Sequence, residues 1–171
     1  RRAFIASSVA ASTLAAAPKI HAASKDKKYR TALIGSGWWG MNILREAMAS
    51  GQTKVVALCD VDQDKLELAA EEVNDLSGEE PKLYSDFREL FEKEEIEIAI
   101  IATPDHWHAL NTLAAIEAGA HIFIEKPTGH TIGESQAILK ASRAADRIVQ
   151  VGLHRRIGPH HVSGMKFLKD G

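Results

Sequence analysis

The chain has 171 residues, 45% of them hydrophobic and 26% charged, with a formal charge of −2, which excludes a disordered, collagenous or coiled-coil protein. One cysteine, Cys59, excludes an intrachain disulfide framework and any cysteine-based zinc or iron–sulfur centre. Without a basic excess, a general nucleic-acid partner is disfavoured.

Residues 1 to 23 read as an address rather than as part of a fold. Arg1-Arg2 precedes an Ala- and Ser-rich apolar run from Ala6 to Ala17, followed by Pro18 and a cleavable small-residue stretch, His21-Ala22-Ala23. The paired arginines point to the bacterial twin-arginine route, which exports folded proteins, so a periplasmic location is expected. The apolar run is shorter than the ~20 residues that span a bilayer and is broken by Ser7, Ser8, Ser12 and Thr13. No membrane anchor is therefore expected after cleavage. Loss of this segment removes Arg1, Arg2 and Lys19 and no acid, taking the charge from −2 to −5.

From Tyr29 onward, strand-like and helix-like segments alternate. Thr31–Ile34 predicts a buried strand, Met41–Ser50 a helix ended by Gly51, Val55–Cys59 a second strand and Lys65–Val73 a second helix. Lys82–Tyr84 predicts a short strand before an amphipathic helix around Phe87, Leu90 and Phe91. Ile96–Ala102 is apolar apart from Glu97, and a helix from about His108 to Ala118 closes at Gly119. His121–Ile124 predicts another strand. Thr131-Ile132-Gly133-Glu134 matches a capping box and opens a helix to about Ala145, before a last strand at Ile148–Val151. Unbroken apolar strands separated by helices predict an α/β fold, a Rossmann-type doubly wound parallel sheet with helices on both faces. A chain that starts without Met and stops after Lys169-Asp170-Gly171 is expected to be a piece of a longer protein.

Between the first strand and the first helix lies Gly35-Ser36-Gly37-Trp38-Trp39-Gly40. In a GxGxxG loop the first glycine permits the tight turn, the second lets backbone approach a pyrophosphate, and the third lets helix and strand pack closely. The amides of Trp38 and Trp39 would then face the phosphates at the helix start. Asp60 ends the second strand 20 residues after Gly40, where an acid binds ribose hydroxyls and repels a 2′-phosphate, so NAD is expected rather than NADP. Asp62 is assigned to capping the second helix.

Two further segments sit where strands end, the position at which such sheets bind ligands. One is Ala102-Thr103-Pro104-Asp105-His106-Trp107-His108, the other Glu125-Lys126-Pro127. His106 and His108 are close enough to suggest a metal, but no Cys or Glu nearby completes a shell, so no metal is expected. His121 and His130 flank a strand and read as structural, and His160-His161 as a surface pair. Cys59 reads as a small buried residue.

Taken with Val151-Gly152 and Arg155-Arg156, these segments resemble the glucose–fructose oxidoreductase/inositol dehydrogenase family (Gfo/Idh/MocA), over residues 30 to about 160. The resemblance implies that Thr103 and Pro104 line the nicotinamide side of the cofactor and that His108 belongs to the same cofactor site. It makes Lys126 the catalytic residue that meets both nicotinamide and the substrate hydroxyl, with Glu125 and Pro127 positioning it at the cofactor. Lys126, His154 and Arg156 would face the substrate. Asp105 departs from the Asn usual in the family. The family's second domain, an open and mostly antiparallel sheet, is missing here; the implied division is an export signal at 1–23, a dinucleotide-binding domain at 24–153 and a linker helix at 154–171. Homo-oligomers would form through the missing domain. The implied reaction moves a hydride between NAD and a secondary alcohol of a sugar, cyclitol or polyol. The base is a lysine, whose free pKa of ~10.4 would fall on burial beside a cationic nicotinamide. Two alternatives stay open: an NAD-dependent glycoside hydrolase using transient oxidation, and a non-catalytic nucleotide-binding protein.

Overall fold

The computed structural model describes residues 26–170, and the expected export signal at 1–23 lies outside the described residues. In chain order come β1 (Tyr29–Ile34), α1 (Trp38–Ala49), β2 (Thr53–Cys59), α2 (Gln63–Ser77), β3 (Lys82–Tyr84), α3 (Phe87–Lys93), β4 (Ile98–Ile101), α4 (Asp105–Glu117), β5 (His121–Glu125), α5 (Ile132–Ala144) and β6 (Val149–Gly152). A short 3-10 turn (His154–Ile157) and α6 (Pro159–Asp170) follow. All strand pairs are parallel, in the order β3-β2-β1-β4-β5-β6. The order reverses between β1 and β4, and a crevice at the carboxyl ends of the strands opens at such a switch.

Alternation along each strand sends successive side chains to opposite layers. Leu33, Leu58 and Ile100 meet Met41 and Leu44 of α1 and Leu66, Ala69 and Val73 of α2. Ala32, Ile34, Ala57, Ile101, Ile122 and Ile124 meet Leu90 of α3, Ala109 and Ala115 of α4 and Ile138 of α5. Leu33, Leu44 and Leu58 are fully buried, each contributing about 1.5–3 kcal/mol of transfer free energy. Helices do cover both faces, although Phe123 and Ile98, on the α1 side of β5 and β4, stay half-exposed beside a broad cleft. α6 packs chiefly against the 3-10 turn and buries none of its residues.

Local chemistry explains the boundaries. Asp62 accepts from the Lys65 amide and Asp86 from the Arg88 amide, starting α2 and α3. Thr131 and Glu134 form both halves of the expected capping box of α5. The fourth helix starts earlier than the periodicity predicts, at Asp105 instead of His108, because Pro104 pre-sets its entry and Asp105 lies in the first turn, where acids are favoured. The His106-Trp107-His108 run is therefore helical.

Candidate functional site

Ile34, the last residue of β1, pairs with Cys59 of β2 on one side and Ile101 of β4 on the other. The chain must leave the sheet here between two strand ends. Gly35 does so at φ +95°, and a Cβ on it would lie 2.7 Å from the Ala102 carbonyl and the Thr103 nitrogen. A Cβ on Gly40 would strike the Gly35 carbonyl oxygen. Protein packing therefore demands both outer glycines. Gly37 differs: its backbone is extended, and a Cβ there meets no atom within 4 Å.

Gly37 is also the N-cap of α1, where no side chain caps the helix and no acid occupies the first turn. The other helices packed on the sheet start with a capping side chain (Asp62, Asp86, Thr131) or with Asp105 in the first turn. The first-turn N–H groups of a helix have no intrahelical acceptor, and here they stay available to an anion. Ser36, 4% exposed, holds a buried Oγ without a hydrogen-bond partner among the described residues. Asp60 accepts from the Ser36 amide through Oδ2 (2.7 Å) and from the Asp62 amide through Oδ1 (3.0 Å), so its carboxylate stands beside the loop. This cradle fits a dinucleotide pyrophosphate with an adjoining ribose.

A cavity of about 300 Å³ continues from the loop, lined by Asp60, Val61, Phe87, Thr103, Trp107 and Asn111 among others. Phe87 and Trp107 meet edge to face, with centroids 6.4 Å apart. Cys59 also lines it, but burial, then the nearby Asp60 and Asp86 carboxylates, push its thiol up to about 12, which keeps it protonated and unreactive. The Asn111 amide donates to Thr103 Oγ1 (3.2 Å), while its buried Oδ1 has no partner among the described residues. Sequence reading missed Ser36, Asn111 and the Phe87–Trp107 wall. Asn111 carried a signal: with His108, Thr112 and Ala115 it occupies the stripe of α4 where apolar residues belong.

The β5 end carries the second group. Lys126 is exposed, so the burial expected around it is not supplied by this domain; it shares a cavity of about 100 Å³ with His154 and Arg156. The Lys126–Pro127 peptide is cis. Glu125, 5% exposed, accepts from the Lys126 amide through Oε2 (3.1 Å), and a Cβ at Gly152 would run into its Oε1. Trp39 packs against the His154 ring at 5.1 Å, joining the start of α1 to the end of β6, while Trp38 is exposed. His108 does not face the cofactor cradle as expected. It is 2% exposed, with Nε2 lying 2.8 Å from the Thr103 carbonyl oxygen and Nδ1 2.5 Å from that of Pro127, so neither ring nitrogen is left for a ligand. His106, two residues earlier, points elsewhere and is exposed, since i and i+2 do not share a helix face. Among the described residues no group of three or more His, Cys, Asp or Glu could hold a metal ion.

The Gfo/Idh/MocA oxidoreductase family, an NAD-binding Rossmann fold, matches residues 29–153. The chain belongs to this family. A glycosyl hydrolase family 109 protein of Stenotrophomonas maltophilia is 34% identical over 146 residues, covering 82% of this chain and 32% of that protein. An inositol 2-dehydrogenase/D-chiro-inositol 3-dehydrogenase of Shouchella clausii is 35% identical over 130 residues, covering 74% of this chain and 36% of the relative. Among solved structures, myo-inositol 2-dehydrogenase from Lactobacillus plantarum superposes with a TM-score of 0.75 at 29% identity, over 85% of this chain and 42% of that one. The chain thus spans about a third of the length of these two relatives. Within the Gfo/Idh/MocA fold, Gly35, Asp60, Thr103 and Lys126 come from four different strand ends and converge on one edge of the sheet.

Proposed function

We propose that this chain is the dinucleotide-binding part of an oxidoreductase that oxidises a secondary alcohol of a sugar, cyclitol or related polyol with NAD⁺. The observation that carries the reading is Lys126, standing at the end of β5 beside His154 and Arg156 and one strand away from Thr103-Pro104. NAD⁺, when bound, would supply the hydride acceptor for the carbinol carbon. Gly35, Gly37 and Gly40 shape the loop that admits the pyrophosphate, the first-turn amides of Trp38 and Trp39 bind it, and Asp60 holds ribose hydroxyls while repelling a 2′-phosphate. Thr103 and Pro104 support the nicotinamide side, with Glu125 and Pro127 fixing the lysine behind it. Lys126 Nζ accepts the substrate hydroxyl proton, and His154 and Arg156 orient the substrate.

Adding NAD⁺ with a panel of inositols and sugars to the full-length protein, and following reduced-nicotinamide absorbance, tests this reading. Reduction with a polyol is expected; no reduction with any substrate, together with no NAD⁺ binding, overturns it. The family 109 relative favours a second reading, glycoside hydrolysis through transient oxidation. Release of a chromogenic aglycone without net NADH would select it.

Arg1-Arg2 and the apolar segment behind them support export by the twin-arginine route. Replacing both arginines with lysine should keep the protein in the cytoplasm on fractionation; continued export would contradict that route.

A further inference from the structure

The cavity beside the glycine loop has an apolar mouth and a polar floor. α4 presents Trp107 and Asn111 to it one turn apart, on the same helix face. Trp107 and Val61, which also lines the cavity, are exposed, and Trp107 meets Phe87 edge to face. Asn111 is only 1% exposed. Its Nδ2 donates to Thr103 Oγ1 at 3.2 Å, which leaves Oδ1 a buried acceptor without a hydrogen-bond partner among the described residues.

The charged groups of the lining are already engaged. Asp60 accepts from the Ser36 and Asp62 amides. Asp86 accepts from the Arg88 amide at 2.8 Å and from its guanidinium at 3.2 Å, and that guanidinium lies over the Phe87 ring, 4.4 Å from its centroid. Ser85 stands at the exposed rim. The Asn111 carboxamide is thus the buried group of the lining with bonding capacity unspent. An apolar residue in this stripe of α4 would carry no such cost.

Sheet order decides which part of a dinucleotide meets it. Asp60 follows β2 on one side of β1, and Lys126 follows β5 beyond β4 on the other. With a ribose on Asp60, the reacting half runs toward Lys126 and the other half enters this cavity. That half ends in a flat purine, which suits an apolar mouth and turns one edge to the floor. Adenine carries an amino group, a donor, on its edge, and an unpaired acceptor calls for a donor. We propose that Asn111 is a specificity residue that reads the base: its Oδ1 accepts from the 6-amino group of the adenine of NAD⁺. This rests on the dinucleotide reading of the site and adds which group of the base is recognised.

Calorimetric titration of the full-length protein with NAD⁺ and with nicotinamide hypoxanthine dinucleotide, which has an oxygen in place of the 6-amino group, tests it. The analogue sets acceptor against acceptor and should bind at least about tenfold more weakly. Equal affinities, or tighter binding of the analogue, overturn the proposal. In Asn111→Leu the two dissociation constants should come within about threefold of each other, through loss of NAD⁺ affinity, while the melting temperature is kept. A preference for NAD⁺ that survives undiminished in the folded variant overturns the role of Asn111. If the leucine variant does not fold, Asn111→Ala carries the same test. Discrimination between the dinucleotides with no turnover of any polyol would overturn the dehydrogenase reading and leave the role of Asn111 standing. Turnover with equal affinities would do the reverse, and no binding of NAD⁺ would overturn both.

Discussion

Around the amino ends of the strands, Glu94 accepts from Tyr84 Oη at 2.8 Å and from Lys82 Nζ at 2.6 Å, with Arg30 Nη2 at 3.3 Å. Glu97 accepts from the Arg30 amide (3.0 Å) and pairs with Lys27 (2.8 Å), and Glu79 accepts from the Val55 amide (2.7 Å). At the carboxyl ends of the same strands, α1 begins uncapped, and Ser36 Oγ and Asn111 Oδ1 are buried without partners among the described residues. Buried polar groups are ordinarily satisfied, because leaving one unpaired costs about 1–3 kcal/mol. The contrast teaches where the sheet is built for stability and where it holds bonding capacity back for a ligand.

Variants on the two edges should separate these roles. The largest effect belongs to Lys126→Ala, which on the proposed dehydrogenase reading should lower kcat of the full-length protein on the order of 10²–10⁴-fold. Because Lys126 is exposed, its melting temperature should stay that of the wild type; a drop in melting that accounts for the lost rate would make the residue structural. Next comes Gly40→Ala. Its methyl group meets the Gly35 carbonyl and should cost about 1–3 kcal/mol in urea unfolding, along with NAD⁺ affinity, whereas wild-type stability would show that the loop yields.

The smallest effect belongs to the other edge. Hydrogen bonds from Lys82, then Tyr84, hold the Glu94 carboxyl below the usual carboxylate range, and bonds from Lys27 and the Arg30 amide do the same for Glu97. A carboxyl depressed in the folded state stabilises above its unfolded pKa of ~4.3, and this contribution is lost as pH falls through the folded value. Glu94→Gln should therefore cost about 1 kcal/mol at neutral pH, flatten the acid side of the stability curve and leave NAD⁺ affinity alone. Weakened NAD⁺ binding in this variant would blur the division between the edges.

Much of this was legible in the residues. Period and capping chemistry placed every strand and helix from β1 to β6, since Thr131-Glu134, Asp62 and the apolar runs act locally. The glycine loop and Asp60 were legible because their spacing follows from one strand–turn–helix unit. His108 was misplaced because burial is a tertiary property: the sequence puts it beside Thr103 but cannot reveal that Pro127, 19 residues on, closes over its other ring nitrogen. Burial around Lys126 was expected from chemistry, yet the described residues leave it exposed. The cavity wall of Phe87 and Trp107 joins two helices that only the sheet order brings together.

The central claim is that the carboxyl edge is shaped for a dinucleotide, and Gly37 tests it most directly. Its extended backbone suits any residue and a Cβ there touches nothing in the protein, so folding makes no demand for glycine. Calorimetric titration of NAD⁺ into full-length Gly37→Ala, paired with its melting curve, should show unchanged stability and affinity weakened at least about tenfold, about 1.4 kcal/mol. Wild-type NAD⁺ affinity in that variant would contradict the account.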